Sequence, residues 1–106
     1  MAWVYLLIAG LLEIVWAYGM KLSAGFTQVG ASIVTIIAMF MSVSLLAVAM
    51  KSLPLGTAYT VWTGIGAVGS FAVGVAILGE AVTVTRLLAA ILILSGLVLM
   101  KLSSQA

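Results

Sequence analysis

The sequence predicts an all-α membrane protein with four transmembrane helices. Three observations carry that expectation. Of 106 residues, 66% are hydrophobic. Only 6% are charged: four basic and two acidic side chains. The apolar residues fall into four runs, each close to the roughly 20 residues needed to cross a hydrocarbon core about 30 Å thick. Ordinary soluble domains carry about 25% charged residues, so these few charges cannot solvate the surface of a water-soluble chain. That excludes a soluble enzyme, a disordered tail and a nucleic-acid binder, whose footprint is clustered basic residues. The absence of cysteine removes any disulfide or thiolate chemistry. With no histidine either, and only two acids far apart, no metal site is expected, and nothing in the chain calls for a cofactor.

The first span is expected over 2–20, closed by Lys21 and the Ser23-Ala24-Gly25 break. The second, 31–50, is closed by Lys51, Ser52 and Pro54; proline cannot donate to a continuing helix. The third, 55–78, ends at Gly79-Glu80, and the fourth, 84–100, ends at Lys101 and a polar tail. Every connection is short, which makes sequential helices antiparallel in one four-helix domain spanning 1–106. The opening run is too long for a secretory signal, contains Glu13 and lacks a basic leader. Continuous rather than alternating apolar runs exclude the strands of a membrane barrel.

Lysine and arginine usually concentrate on the cytoplasmic side. Here Lys51 and Lys101 lie on one side of the bundle, Lys21 and Arg86 on the other. The tie selects neither insertion, so both orientations are expected. Two oppositely inserted copies would supply the inverted symmetry that larger transporters build within one chain. An antiparallel homodimer is therefore the economical assembly; the rival reading is that the free amino terminus breaks the tie.

Glu13 is the charge out of place. It lies about two residues from the middle of its span, hence about 3 Å from the bilayer midplane. A charge there costs about 2.5–3.5 kcal/mol on insertion scales, and intramembrane acids mark proton or ion routes. The bland alternative is a neutral carboxyl donating one interhelical hydrogen bond. A carboxylate removed from water is either neutralised by a proton or kept ionised by a bound cation, so the two compete for it. Gly10 and Ala17 open space beside Glu13, and Trp16 adds an aromatic face. On the third helix Tyr59, Trp62, Thr63 and Gly66 follow one stripe at i, i+3, i+4 and i+7. Trp62 offers a cation-attracting ring and Tyr59 a hydroxyl; interfacial anchoring is the rival reading for both. Ser42 reaches mid-depth on the second helix and bonds either Glu13 or its own helix.

Gly64, Gly66 and Gly69 mark a candidate bend in the third helix, or plain close packing. Ala89 and Gly96, seven apart on the fourth helix, form a small-residue face suited to dimer contact or to packing within the protomer. Trp3 and Tyr5 read as interface anchors, the lysines as helix-end anchors, and Glu80 and Arg86 as a wet loop pair.

These features together resemble the small multidrug resistance family of bacterial proton-coupled exporters. The likeness covers essentially the whole chain. Within the family the sequence is similar to the guanidinium exporter subtype, through Gly10-Leu11-Leu12-Glu13-Ile14-Val15-Trp16-Ala17, the run Lys51-Ser52-Leu53-Pro54, and Gly56-Thr57-Ala58-Tyr59-Thr60-Val61-Trp62-Thr63-Gly64-Ile65-Gly66-Ala67-Val68-Gly69. The resemblance implies an antiparallel dimer in the bacterial inner membrane, exchanging protons for guanidinium at paired Glu13 residues. By matching positions it adds Gly10, Trp16, Ser42, Tyr59, Trp62 and Thr63 to the site. The family's dimer motif has glycine at both ends of its seven-residue step, where this chain has Ala89 and Gly96. Guanidinium is planar and its paired N–H groups match a carboxylate. Two other readings stand beside this one: an exporter of quaternary ammonium or hydrophobic cations, and a non-transporting membrane scaffold.

Overall fold

The computed structural model describes residues 1–103 and places them in α1 (Ala2–Leu22), α2 (Val29–Ala49), α3 (Leu55–Ala76) and α4 (Val84–Ser103). Each is long and apolar enough to cross a membrane. The shortest has 20 residues, about 30 Å at 1.5 Å per residue. The chain is therefore a multi-pass membrane protein.

Local chemistry sets the ends. Ser23 closes α1: its Oγ donates to the Met20 carbonyl at 2.7 Å and accepts from the Phe26 amide at 3.0 Å. The chain then turns through Ala24, Gly25 and Phe26, all at positive φ. Pro54 sits just before α3 at φ −60°, ψ 150°, its ring fixing the extended entry. The third helix stops at Ala76, two residues short of the sequence expectation. Gly79 takes a left-handed φ of 72°, and the following Glu80 amide donates back to the Gly74 carbonyl at 2.9 Å. Ile77 and Leu78 are apolar enough to extend the run, but this closure pulls them out of the helix. The fourth helix continues past Lys101 to Ser103 because a lysine at a membrane surface does not interrupt backbone hydrogen bonding.

The helices form a thin slab, 45 × 35 × 16 Å. In the slab α1 packs on both α2 and α3, and α4 packs helix to helix on α3 alone. The core is one cluster of Leu6, Ala9, Leu46, Ala49, Ala58, Val61 and Trp62, drawn from α1, α2 and α3. The fourth helix contributes no buried residue. Its carboxyl end is held by the Lys101 ammonium lying 4.7 Å from the centre of the Trp3 ring.

Candidate functional site

Glycines bring α1 and α3 together. A Cβ on Gly10 would lie 2.6 Å from the Ile65 side chain. One on Gly69 would overlap Ile14, and one on Gly66 would overlap the carboxyl of Glu13. Three consecutive contacts along one seam thus depend on a missing side chain. In a bilayer, where apolar burial gives helices no drive to associate, such surfaces hold them through close packing. The seam presents Glu13 to the backbone of Gly66.

There the carboxyl is incompletely satisfied. Glu13 Oε1 is buried without a hydrogen-bond partner, and so is Trp16 Nε1, one turn further along the same helix. Buried polar groups in native proteins are nearly always paired, and an unpaired one in hydrocarbon costs several kcal/mol. One unmet acceptor and one unmet donor therefore stand close together in α1. Among the described residues no group of three or more acids, histidines or cysteines could hold a metal.

Ser42 bonds neither Glu13 nor its own helix. Its Oγ donates to the Ala9 carbonyl of α1 at 2.7 Å and accepts from Trp62 Nε1 at 3.0 Å. The physical reason is Trp62, 8% exposed, whose indole N–H needs an acceptor and finds the hydroxyl first. This relay ties α1, α2 and α3 together one turn before Glu13. Its acceptor, a backbone carbonyl, was invisible in the pattern of side chains.

The expected stripe on α3 divides. Trp62 and Gly66, four apart, are buried towards α1, whereas Tyr59 and Thr63, also four apart, are exposed. Tyr59 keeps contact with Trp62, ring centroids 5.5 Å apart and planes tilted by 46°. Otherwise Tyr59 and Thr63 line a groove of about 530 Å³ with Gly96, Leu97 and Met100 of α4. One protomer thus brings Glu13, Gly10, Gly66, Trp62 and Ser42 to one region and leaves Tyr59 and Thr63 facing outward. Gly64 is covered by the Leu97 side chain of α4, while Ala89 and Gly96 are exposed, with nothing within 4 Å of a Cβ built on Gly96. The third helix is continuous through Gly64, Gly66 and Gly69.

Four spanning helices with a buried carboxyl oxygen set against a glycine backbone at mid-span define a small helical membrane protein with a polar group inside one span. The match to known proteins makes this particular. The family model described as Small Multidrug Resistance protein matches residues 1–94, and the chain belongs to that family. It is 57% identical over 104 residues to a protein of Yersinia pseudotuberculosis named guanidinium exporter, covering 98% of this chain and 100% of that one. Proteins of the same name from Citrobacter freundii and Salmonella typhimurium are each 54% identical over 104 residues, covering 98% of this chain and 99% of theirs.

Proposed function

We propose that the protein is a proton-coupled antiporter that exports guanidinium across the bacterial plasma membrane as an antiparallel homodimer. The observation that carries this reading is the unpartnered Glu13 carboxyl oxygen buried at mid-span beside the unpartnered Trp16 N–H. The names of the relatives supply the substrate.

The mechanism follows from competition. Two Glu13 carboxylates, one from each protomer, face a shared cavity. A guanidinium ion offers them paired N–H groups in a plane, and its flat faces lie against Trp16 and Trp62. A proton arriving from outside neutralises the carboxylate and removes both the charge and the acceptors that held the cation. Since either occupant excludes the other, outward cation movement is driven by inward proton movement. The relay from Trp62 through Ser42 to the Ala9 carbonyl holds the indole ring at a fixed angle, while Gly10 and Gly66 let α1 and α3 approach closely enough to seat the acid. Tyr59 and Thr63 complete the site from the partner side. Bending at Gly64, Gly66 and Gly69 switches which side has access, and the Ala89–Gly96 face of α4 joins the protomers.

Vesicles containing only this polypeptide test the reading. Adding guanidinium on one side should drive stoichiometric proton movement to that side, and Glu13→Gln should abolish it. Guanidinium flux with no proton movement would leave a uniporter; no flux at all would leave the scaffold reading.

A further inference from the structure

The second acid of the chain lies against the end of the α1–α3 seam. Glu80 follows Gly79, whose left-handed turn carries it back over the end of α3. A Cβ on Gly74 would stand 2.7 Å from its carboxyl carbon, so this carboxylate depends on a glycine as Glu13 depends on Gly66. The two glycines are eight residues apart on α3, about 12 Å along the helix axis. Between them lies a cavity of about 140 Å³, bounded by Ile14, Tyr18 and Lys21 of α1, Ser70 and Gly74 of α3, and Glu80 itself. That space exceeds what a single water needs. Its lining runs from Ile14, without reaching Glu13, to Lys21 and Glu80 at the end of the seam.

At that outer end the carboxylate already holds a guanidinium group. Arg86 Nη2 lies 3.5 Å from Glu80 Oε1, while its Nη1 donates to the Ala81 carbonyl at 3.0 Å. The Arg86 guanidinium carbon sits 5.5 Å from the centre of the Phe71 ring. The pair is loose: one long contact, with both side chains nearly half exposed, the kind of ion pair that contributes little and yields to a competitor. Arginine's head group has the same planar, forked chemistry as free guanidinium.

Resting on the export reading above, we propose that Glu80 is a second, shallow docking point for guanidinium-type cations at the mouth of the α1–α3 seam, occupied by Arg86 until the substrate displaces it. A carboxylate at a narrow mouth raises the local concentration of cations and their rate of entry. Arg86 and the Lys21 ammonium at the rim oppose that attraction. Glu80 and Arg86 therefore act on uptake with opposite signs, whereas a simple structural clamp would be damaged alike from either side.

The test compares wild type, Glu80→Gln and Arg86→Gln in proton-flux vesicles at low salt. Glu80→Gln should raise the KM for guanidinium about fivefold with kcat nearly unchanged, and Arg86→Gln should lower it about twofold. Both effects should fade in 0.5 M salt, where screening is short-ranged. Equal KM in all three proteins, or a rise in both variants, overturns the proposal. A second measurement is independent of transport. In full-length Glu13→Gln protein in bicelles, guanidinium chloride should shift the Ser70, Gly74 and Glu80 amide resonances relative to matched sodium chloride, and adding Glu80→Gln should remove the shifts. Shifts without flux in wild type would overturn the antiport reading and keep this one; flux without shifts would do the reverse.

Discussion

The α1–α3 seam and the α4 surface are made from similar material, small residues among aliphatic side chains, yet they stand in opposite states. Along the seam each missing Cβ is filled: Ile65 over Gly10, Glu13 over Gly66, Ile14 over Gly69. On α4, Gly96 has nothing within 4 Å and no residue of the helix is buried. The seam is closed within one chain, whereas the outer face of α4 is left uncovered by its own protomer. Small residues alone therefore do not identify an interior. What separates the two regions is a polar group at stake: the seam encloses the only mid-span charge, and α4 encloses none.

The largest expected effect is at the polar end of that contrast. Glu13→Gln should reduce guanidinium-driven proton flux to that of empty vesicles while leaving the helix content intact. It should also erase the pH dependence of binding. If a proton and the cation exclude each other in the wild type, apparent affinity should weaken as pH falls through the carboxyl's titration, by up to about tenfold per unit for one competing proton. Titration calorimetry at several pH values checks the slope. A Gln variant that still binds guanidinium with the same slope removes Glu13 from the mechanism.

Gly66→Ala tests whether the seam's tightness serves the acid. The new methyl group would occupy the place of the Glu13 carboxyl, and overpacking of this kind costs about 1–3 kcal/mol. Guanidinium affinity should fall about tenfold or more, with a smaller loss of protomer stability as the side chain swings aside. Unchanged affinity would show that the carboxyl functions from another position.

A smaller effect is expected at the relay. Ser42→Ala leaves the Trp62 indole N–H without its acceptor and the Ala9 carbonyl without its donor. Unsatisfied buried groups cost about 1–3 kcal/mol. Interhelical hydrogen bonds in bilayers average nearer 0.6 kcal/mol, so about 1 kcal/mol is the expected loss on unfolding in mixed micelles. Indole fluorescence should broaden as the ring is freed. Ser42→Thr, which restores the hydroxyl, should recover most of the loss.

How much of this was legible in the sequence follows from the kind of signal each feature leaves. The four helices were, because mean composition over 20 residues decides membrane insertion. Glu13 was, because a charge in the middle of an apolar run is costly to insert and so stands out from every neighbour. The end of α3 was not: hydropathy rates Ile77 and Leu78 as membrane residues, while a left-handed Gly79 and a backbone hydrogen bond decide otherwise. The partner of Ser42 was equally hidden, since a backbone carbonyl has no residue type. Helical spacing placed Tyr59, Trp62, Thr63 and Gly66 on one stripe, but a stripe can straddle the line between a buried and an open face, and this one does. Glu80 read as a solvated loop acid and is indeed exposed beside Arg86; what the sequence hid is its closeness to Gly74, six residues earlier on α3.

The mildest substitution sharpens the contrast most, because it repeats at Gly96 the change made at Gly66. With open space around its Cβ, alanine at 96 meets no atom of its own protomer, and it is intrinsically the better helix former. Protomer stability should therefore hold or rise slightly, and the Glu13 site should bind guanidinium as before in any dimer that forms. Any cost falls on association. If α4 faces a second copy, the added methyl groups hold the helices apart and weaken dimerisation about three- to tenfold, measured by dilution of donor- and acceptor-labelled chains in lipid. Ala89 already carries such a methyl one heptad earlier, so the axis is expected to tolerate one spacer better than two. Leucine at the same position should abolish association outright. If alanine and leucine both leave the association constant unchanged, α4 is a lipid-facing helix, and the protomers meet elsewhere.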